Sequence, residues 1–232
     1  MRLRTLVLVF LLALAGFVIA RLPLAAALNL AAPPGIRVAE VQGTIWQGSL
    51  RGVTFQGRPL GDIRLAFAGT GWRWRLDGRE LAADGRLMPG LGQAHISDLR
   101  LSGAIGALLP AVPVPGVVEI ERASLDLSQA GCVEGEGQAM LRLELPLAGR
   151  NAPDLSGPLS CRDGALHLAL AGQAADGPIS ATLELEPDAL NRPRIRVEQA
   201  GPELKRVLQA AGFRAEGSAL TFSSAETGDS GS

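Results

Sequence analysis

Two hydrophobic patterns divide this chain of 232 residues. From Leu6 to Ala20 no charge interrupts an apolar run, and Arg2 and Arg4 stand just before it. From Ile36 onward the pattern becomes an alternation of period two. Ile63, Leu65 and Phe67 are separated by Arg64 and Ala66, and Trp72, Trp74 and Leu76 by Arg73 and Arg75. The rhythm returns at Ile36 and Val38, at Ile96, Leu99 and Leu101, at Val118 and Ile120, and at Leu125 and Leu127. It continues at Leu141, Leu143 and Leu145, at Leu166, Leu168 and Leu170, at Ala181, Leu183 and Leu185, and at Ile195 and Val197. Strict alternation leaves one face buried and one wet, which predicts antiparallel sheet. Asp77-Gly78, Asp84-Gly85, Ser102-Gly103, Asp163-Gly164 and Asp176-Gly177 read as turns between strands. Roughly ten strands in a meander follow from this pattern. Parallel βαβ units would need helical patterns of about a dozen residues between strands, and the sequence has none.

Two short stretches read as helix. Ala104 to Leu109 is apolar between Gly103 and Pro110. Pro202 to Leu208 has proline at a first-turn position, apolar residues at helical spacing and Gly212 as a stop. Ala32-Pro33-Pro34-Gly35 predicts the break between the leader and the folded domain. The expected organisation is a stub and membrane anchor over 1–31 and a β-rich domain over 32–226. A disordered tail follows at 227–232, and a subdivision falls near the proline-rich 110–116.

The leader supplies an address. A charge-free apolar segment behind two arginines inserts in a membrane with the arginines on the cytoplasmic side, so the rest of the chain is exported. A spanning helix wants about 20 apolar residues. This run stops at Arg21, which can snorkel to the far interface, and the chain is apolar again from Leu22 to Leu28 with Pro23 in its path. The alternative is a cleaved signal peptide with Ala25-Ala26-Ala27 as the cleavage site.

Composition narrows the class further. A formal net charge of −1 gives no reason to expect nucleic acid as a partner. The 29 glycines and 15 prolines allow the frequent chain reversals that a meander requires. There are two cysteines, Cys132 and Cys161, both beyond the leader. In an oxidising compartment such a pair reads as a disulfide, whose loop of about 30 residues would stabilise the fold by about 3.5 kcal/mol in the chain-entropy model. Two buried free thiols are the alternative.

Candidate chemistry is sparse. There is no Gly-x-Ser-x-Gly elbow, and Lys205, the only lysine, lies outside any phosphate-loop pattern. Gly90-Leu91-Gly92 and Gly135-Glu136-Gly137 fail at the third glycine of a dinucleotide fingerprint and read as turns. His95 and His167 read as solvated strand histidines, and Glu119, Glu121, Glu184 and Glu186 as solvating charge. No cysteine–histidine spacing suits a metal. The expectation is a protein without catalytic residues, metal or cofactor. The tryptophans stand apart: Trp46 within Gly43-Thr44-Ile45-Trp46-Gln47-Gly48, and Trp72 with Trp74 on one strand face. They read either as core or as an aromatic anchor at a partner interface.

The leader, Val41-Gln-Gly-Thr-Ile-Trp-Gln-Gly-Ser-Leu50 and Leu155-Ser-Gly-Pro-Leu-Ser-Cys161 together resemble the type II secretion system protein N family. The resemblance runs from the leader to about Phe222. It implies a single-pass inner-membrane protein, with a short cytoplasmic end and a periplasmic antiparallel β domain carrying one or two short helices. It implies a non-catalytic role in moving folded proteins from the periplasm across the outer membrane. Its partners would be other inner-membrane components of the secretion system and the outer-membrane secretin. Gly43, Thr44, Ile45, Trp46 and Gly48 are then the motif to watch. Similar Gly-x-x-Trp-x-Gly elements begin the larger AsmA-like envelope proteins. On that alternative the sheet curls into a lipid-binding groove lined by Ile63, Leu65, Phe67, Leu141, Leu143, Leu145, Leu183 and Leu185. Alternation demands the same residues in a closed core and in a groove.

Overall fold

A computed structural model describes residues 2–31, 35–55, 57–145, 153–174, 177–186 and 193–223. The expected Ala32–Pro34 break, Asp176 of one expected turn and the tail at 227–232 lie outside the described residues. Within them the chain is mainly β, with fifteen strands and every pairing antiparallel. It divides into two compact units between Gly78 and Arg79, and the proline-rich stretch near 110 lies inside the second.

The first unit opens with α1 (Arg2–Ala20) and α2 (Leu24–Ala31). Five strands follow: β1 (Ile36–Arg37), β2 (Glu40–Gly43), β3 (Gln47–Phe55), β4 (Arg58–Ala68) and β5 (Gly71–Asp77). β1 and β2 lie against successive stretches of β3, and β4 and β5 continue the sheet beyond it. Leu24 of α2, Leu50 and Val53 form the buried centre. Leu28, Ile36, Val38, Val41, Leu60, Ile63 and Leu65 pack around them, so α2 covers the apolar face of this sheet. α1 differs: every residue from Thr5 to Arg21 is exposed. No helix among the described residues is long and apolar enough to cross a membrane.

The second unit is a long meander. Its strands are β6 (Leu81–Pro89), β7 (Gln93–Ala104), β8 (Gly116–Ser128), β9 (Gly131–Leu143) and β10 (Asp154–Arg162), then β11 (Ala165–Ala174), β12 (Gly177–Leu185) and β13 (Arg194–Glu198). Each pairs with the next in the chain. The last two, β14 (Arg214–Glu216) and β15 (Ala219–Ser223), close the order as β13-β15-β14. One face carries α3 (Ile105–Leu108), the segment after it, and α4 (Pro202–Ala210). Ile105, Leu109, Val112 and Val114 meet Leu155, Leu168, Leu170, Ile179 and Val197 there, with Leu204, Leu208 and Phe213 from the α4 end, around an apolar cavity of about 70 Å³.

The end of α4 follows from its sequence. Gly212 takes φ +95°, a conformation open to glycine at little steric cost. Its N–H donates to Gln209 O at 3.0 Å, and Phe213 N–H donates to Leu208 O at 3.0 Å. These two bonds make a Schellman stop, and burial of Phe213 and Leu208 supplies its apolar contact.

Two expected turns prove to be strand interior. Asp84-Gly85 lies within β6, where the register shifts between Asp84 and Arg86. Ser102-Gly103 lies within β7, with Gly103 opposite Leu81 on one side and Val118 on the other. A side chain at Gly103 would meet Glu80 O and Leu81 Cδ1, both at 2.8 Å. Glycine at these points permits a bulge and a close approach, rather than a reversal. Leu125 and Leu127 also share β8 with Val118 and Ile120, the strand continuing through an irregularity after Glu121.

Candidate functional site at the end of the apolar helix

The Gly43–Gly48 motif is the connection between β2 and β3, with Gly43 and Gly48 paired across the hairpin. Gly43 has φ +87°, which a side chain would strain. Thr44 N–H donates to Gln47 O at 2.9 Å and closes the loop. Gly48 serves by its size: a Cβ there would meet Leu24 Cδ2 at 2.6 Å and Gln42 O at 2.8 Å. The missing side chain lets Leu24, the first residue of α2, reach the core.

The loop also grips the chain between the two helices. Thr44 pairs with Pro23 in an antiparallel bridge, and Ile45 N–H donates to Leu22 O at 3.1 Å. The Trp46 indole N–H donates to Ile19 O at 3.0 Å. A helix leaves its last four carbonyls without intrahelical donors. In α1 the amide of Arg21 reaches Phe17 O and Val18 O at 3.1 and 3.2 Å, that of Leu22 reaches Ile19 O at 3.3 Å, and Trp46 adds a side-chain donor to the same oxygen. The tryptophan therefore caps the apolar helix.

Phe67 and Trp72 extend the joint. Trp46 O accepts from Phe67 N–H at 2.7 Å. The two rings meet edge to face, with centroids 5.0 Å apart at 86°. Phe67 stacks in the same manner on Trp72, at 5.2 Å and 70°, and the Trp72 indole N–H donates to Ile45 O at 2.6 Å. Each such pair adds about 0.5–1.5 kcal/mol beyond its buried area. Both indole donors find backbone carbonyls, as half-buried tryptophans require. The sequence placed Trp72 beside Trp74 on one face of β5. The additional link from Trp72 through Phe67 to Trp46 is a property of the fold, as is the carbonyl of Ile19. Their sequence signal was limited to the uninterrupted apolar phase of β4 and β5.

Elsewhere the expected residues find ordinary partners. Cys132 and Cys161 form a disulfide with Cα atoms 5.4 Å apart, tying the start of β9 to the end of β10. Cys132 N–H donates to Gly164 O in the β10–β11 turn. His95 Nδ1 lies 2.6 Å from Asp126 Oδ1, directly across β7 and β8. His167 is partly buried, 3.9 Å from Glu184. Among the described residues no group of three or more His, Cys, Asp or Glu side chains could hold a metal ion. The eight apolar residues of the groove alternative separate by location. Ile63 and Leu65 pack under α2, Leu141, Leu143 and Leu183 line the small cavity of the second unit, Leu145 is buried and Leu185 half-buried, while Phe67 stays 38% exposed in the joint.

A search of curated proteins and one of solved structures each find no match to the chain. A family model does match, over residues 34–223, a span that holds the helix-capping hairpin, both cysteines and the whole meander. By that match the chain belongs to the type II secretion system protein N family.

Proposed function

We propose that this protein is a non-catalytic, single-pass inner-membrane component of the type II secretion system, with its N-terminus cytoplasmic and both β units in the periplasm. There it would support the passage of folded proteins to the outer-membrane secretin by holding other inner-membrane components. One observation carries the reading: α1 presents apolar side chains on every side, from 67% exposure at Leu6 to 48% at Leu14, while its C-terminal end is tied to a folded sheet. A helix apolar all round needs a nonpolar medium or a partner. The capped end supports reading it as a mount rather than as a leader awaiting removal. The disulfide agrees with an oxidising compartment. The apolar run of fifteen residues spans about 22 Å at about 1.5 Å per residue, against a hydrocarbon core of about 30 Å. Snorkelling of Arg21 and local thinning of the bilayer would absorb the difference.

The lipid-groove reading has less support. The apolar sheet face of the second unit is covered by α3, the 109–114 segment and α4, and the apolar cavity beneath them is about 70 Å³, against about 300–1,000 Å³ for ordinary ligand pockets. A neighbouring pocket of about 820 Å³ is large enough, but Glu184, Arg194, Arg196, Arg214 and Glu216 line it beside Ile195 and Phe222, a charged lining that suits acyl chains poorly. The test is crosslinking of the membrane-embedded protein in its native cell, with mass spectrometry of the captured proteins and of its own N-terminus. Capture of inner-membrane secretion components or the secretin by an uncleaved chain is the expected result. Lipid crosslinked to the sheet with no secretion partner, or a mature chain starting near Leu28, would overturn the proposal.

A further inference from the structure

The aromatic joint has a second use, which rests on the reading of α1 as a membrane anchor. We propose that Trp46, Phe67 and Trp72 form an interfacial foot, seated in the headgroup layer of the bilayer that holds α1. The partner is the phospholipid surface itself.

Three observations converge on this. The Trp46 indole bonds a carbonyl of the last turn of α1 at 3.0 Å. The aromatic cluster therefore stands at the level where the apolar run ends, which for a spanning helix is the membrane–water boundary. Amphipathic aromatic rings concentrate at that depth. The cluster is also only partly covered. Phe67 is 38% exposed, and Trp46 and Trp72 are half-buried, although the first unit has a closed core elsewhere under α2. Finally, a cation stands at the end of the helix that the cluster caps. The exposed Arg21 guanidinium lies 5.6 Å over the Phe17 ring. An exposed arginine just past the end of an apolar helix is placed to reach lipid phosphate groups.

Length points the same way. Fifteen apolar residues fall short of a full crossing, so a spanning α1 would draw its C-terminal end, and whatever is fastened to it, toward the lipid. A longer helix would have lifted the hairpin clear.

The three tryptophans of the chain, Trp46, Trp72 and Trp74, all lie in the first unit, so native fluorescence reads this region without a label. The experiment places the full-length protein in vesicles of phosphatidylcholine and phosphatidylglycerol, with lipids brominated near the headgroup or near the chain end. Flotation of the vesicles monitors anchoring. Shallow bromines are expected to quench roughly twofold more than deep ones. The W72F/W74F variant, in which Trp46 alone emits, is expected to keep that preference. Vesicles that float with protein but quench with neither lipid, or more with deep bromines, would overturn the foot and leave the anchor standing. Protein that fails to float with the vesicles would overturn the anchor, and the foot with it.

Discussion

The two units solve the same problem with different cover. Each has a sheet with one apolar face. In the first, the cover is α2, which precedes the sheet and enters the core through Leu24 beside Gly48. In the second, the cover is inserted within and after the strands, as α3 with its trailing segment and as α4. The chemistry of the two closures also differs. The first unit holds every tryptophan and seals its helix junction with indole-to-carbonyl bonds. The second has aliphatic packing and the disulfide. The contrast separates a junction built for position from a core built for stability: the indole bonds fix where α1 ends, whereas the aliphatic layer buries area.

The strongest way to break this contrast is to empty the second core. Leu155→Ala removes a side chain only 1% exposed and is expected to cost about 4 kcal/mol. Urea unfolding followed by far-UV circular dichroism would measure it, while tryptophan emission, confined to the first unit, reports whether the loss stays local. The double variant C132S/C161S is expected to lose about 3.5 kcal/mol, and the same titration with and without reductant on the parent chain should give a matching difference. In the first unit, Gly48→Ala forces a methyl against Leu24 and Gln42 O, with an expected cost of about 2 kcal/mol. Hydrogen exchange should localise that loosening to α2 and the start of β3. The smallest effect belongs to Trp46→Phe, which keeps a ring against Phe67 but removes the donor to Ile19 O. About 1 kcal/mol is expected, seen as faster exchange of the Arg21 and Leu22 amides with little change in the midpoint of global unfolding. A large global loss from Trp46→Phe would make the indole a core element and erase the contrast.

Much of the fold is legible in the period-two pattern, because the strands whose inward positions are large announce themselves. β4, β5, β11 and β12 are of this kind. Strands whose inward positions are small do not. In β9, Gly135 and Gly137 occupy places where a Cβ would meet Cys161 Sγ at 2.8 Å and Ala123 Cβ at 2.6 Å. A hydrophobicity scan reads that segment as turn, although crowding is the reason for its glycines. Gly103 misleads in the same way. The capping motif shows a middle case. Gly43 and Gly48 signal a tight hairpin, and Trp46 signals something worth packing. The partner of Trp46 is a backbone carbonyl 27 residues earlier, and a carbonyl is the same in every residue, so no side-chain pattern could point to Ile19.

The meander has a consequence for how the molecule is made. From β7 to β13 every strand pairs with its predecessor in the chain, and the two cysteines lie on consecutive strands, 29 residues apart. Contacts of such short sequence separation carry a small loop-closure cost and form quickly. A chain made from its N-terminus can therefore add one strand at a time to an edge already in place. With two cysteines there is a single intramolecular pairing, so oxidation has no wrong register to correct. The closing steps wait for the C-terminal residues: α4 must arrive to cover the aliphatic face, and β15 must reach back past β14 to meet β13. Vectorial synthesis thus leaves the longest exposure of apolar surface to the end, and the last twenty-odd described residues decide when the sheet becomes insoluble or safe.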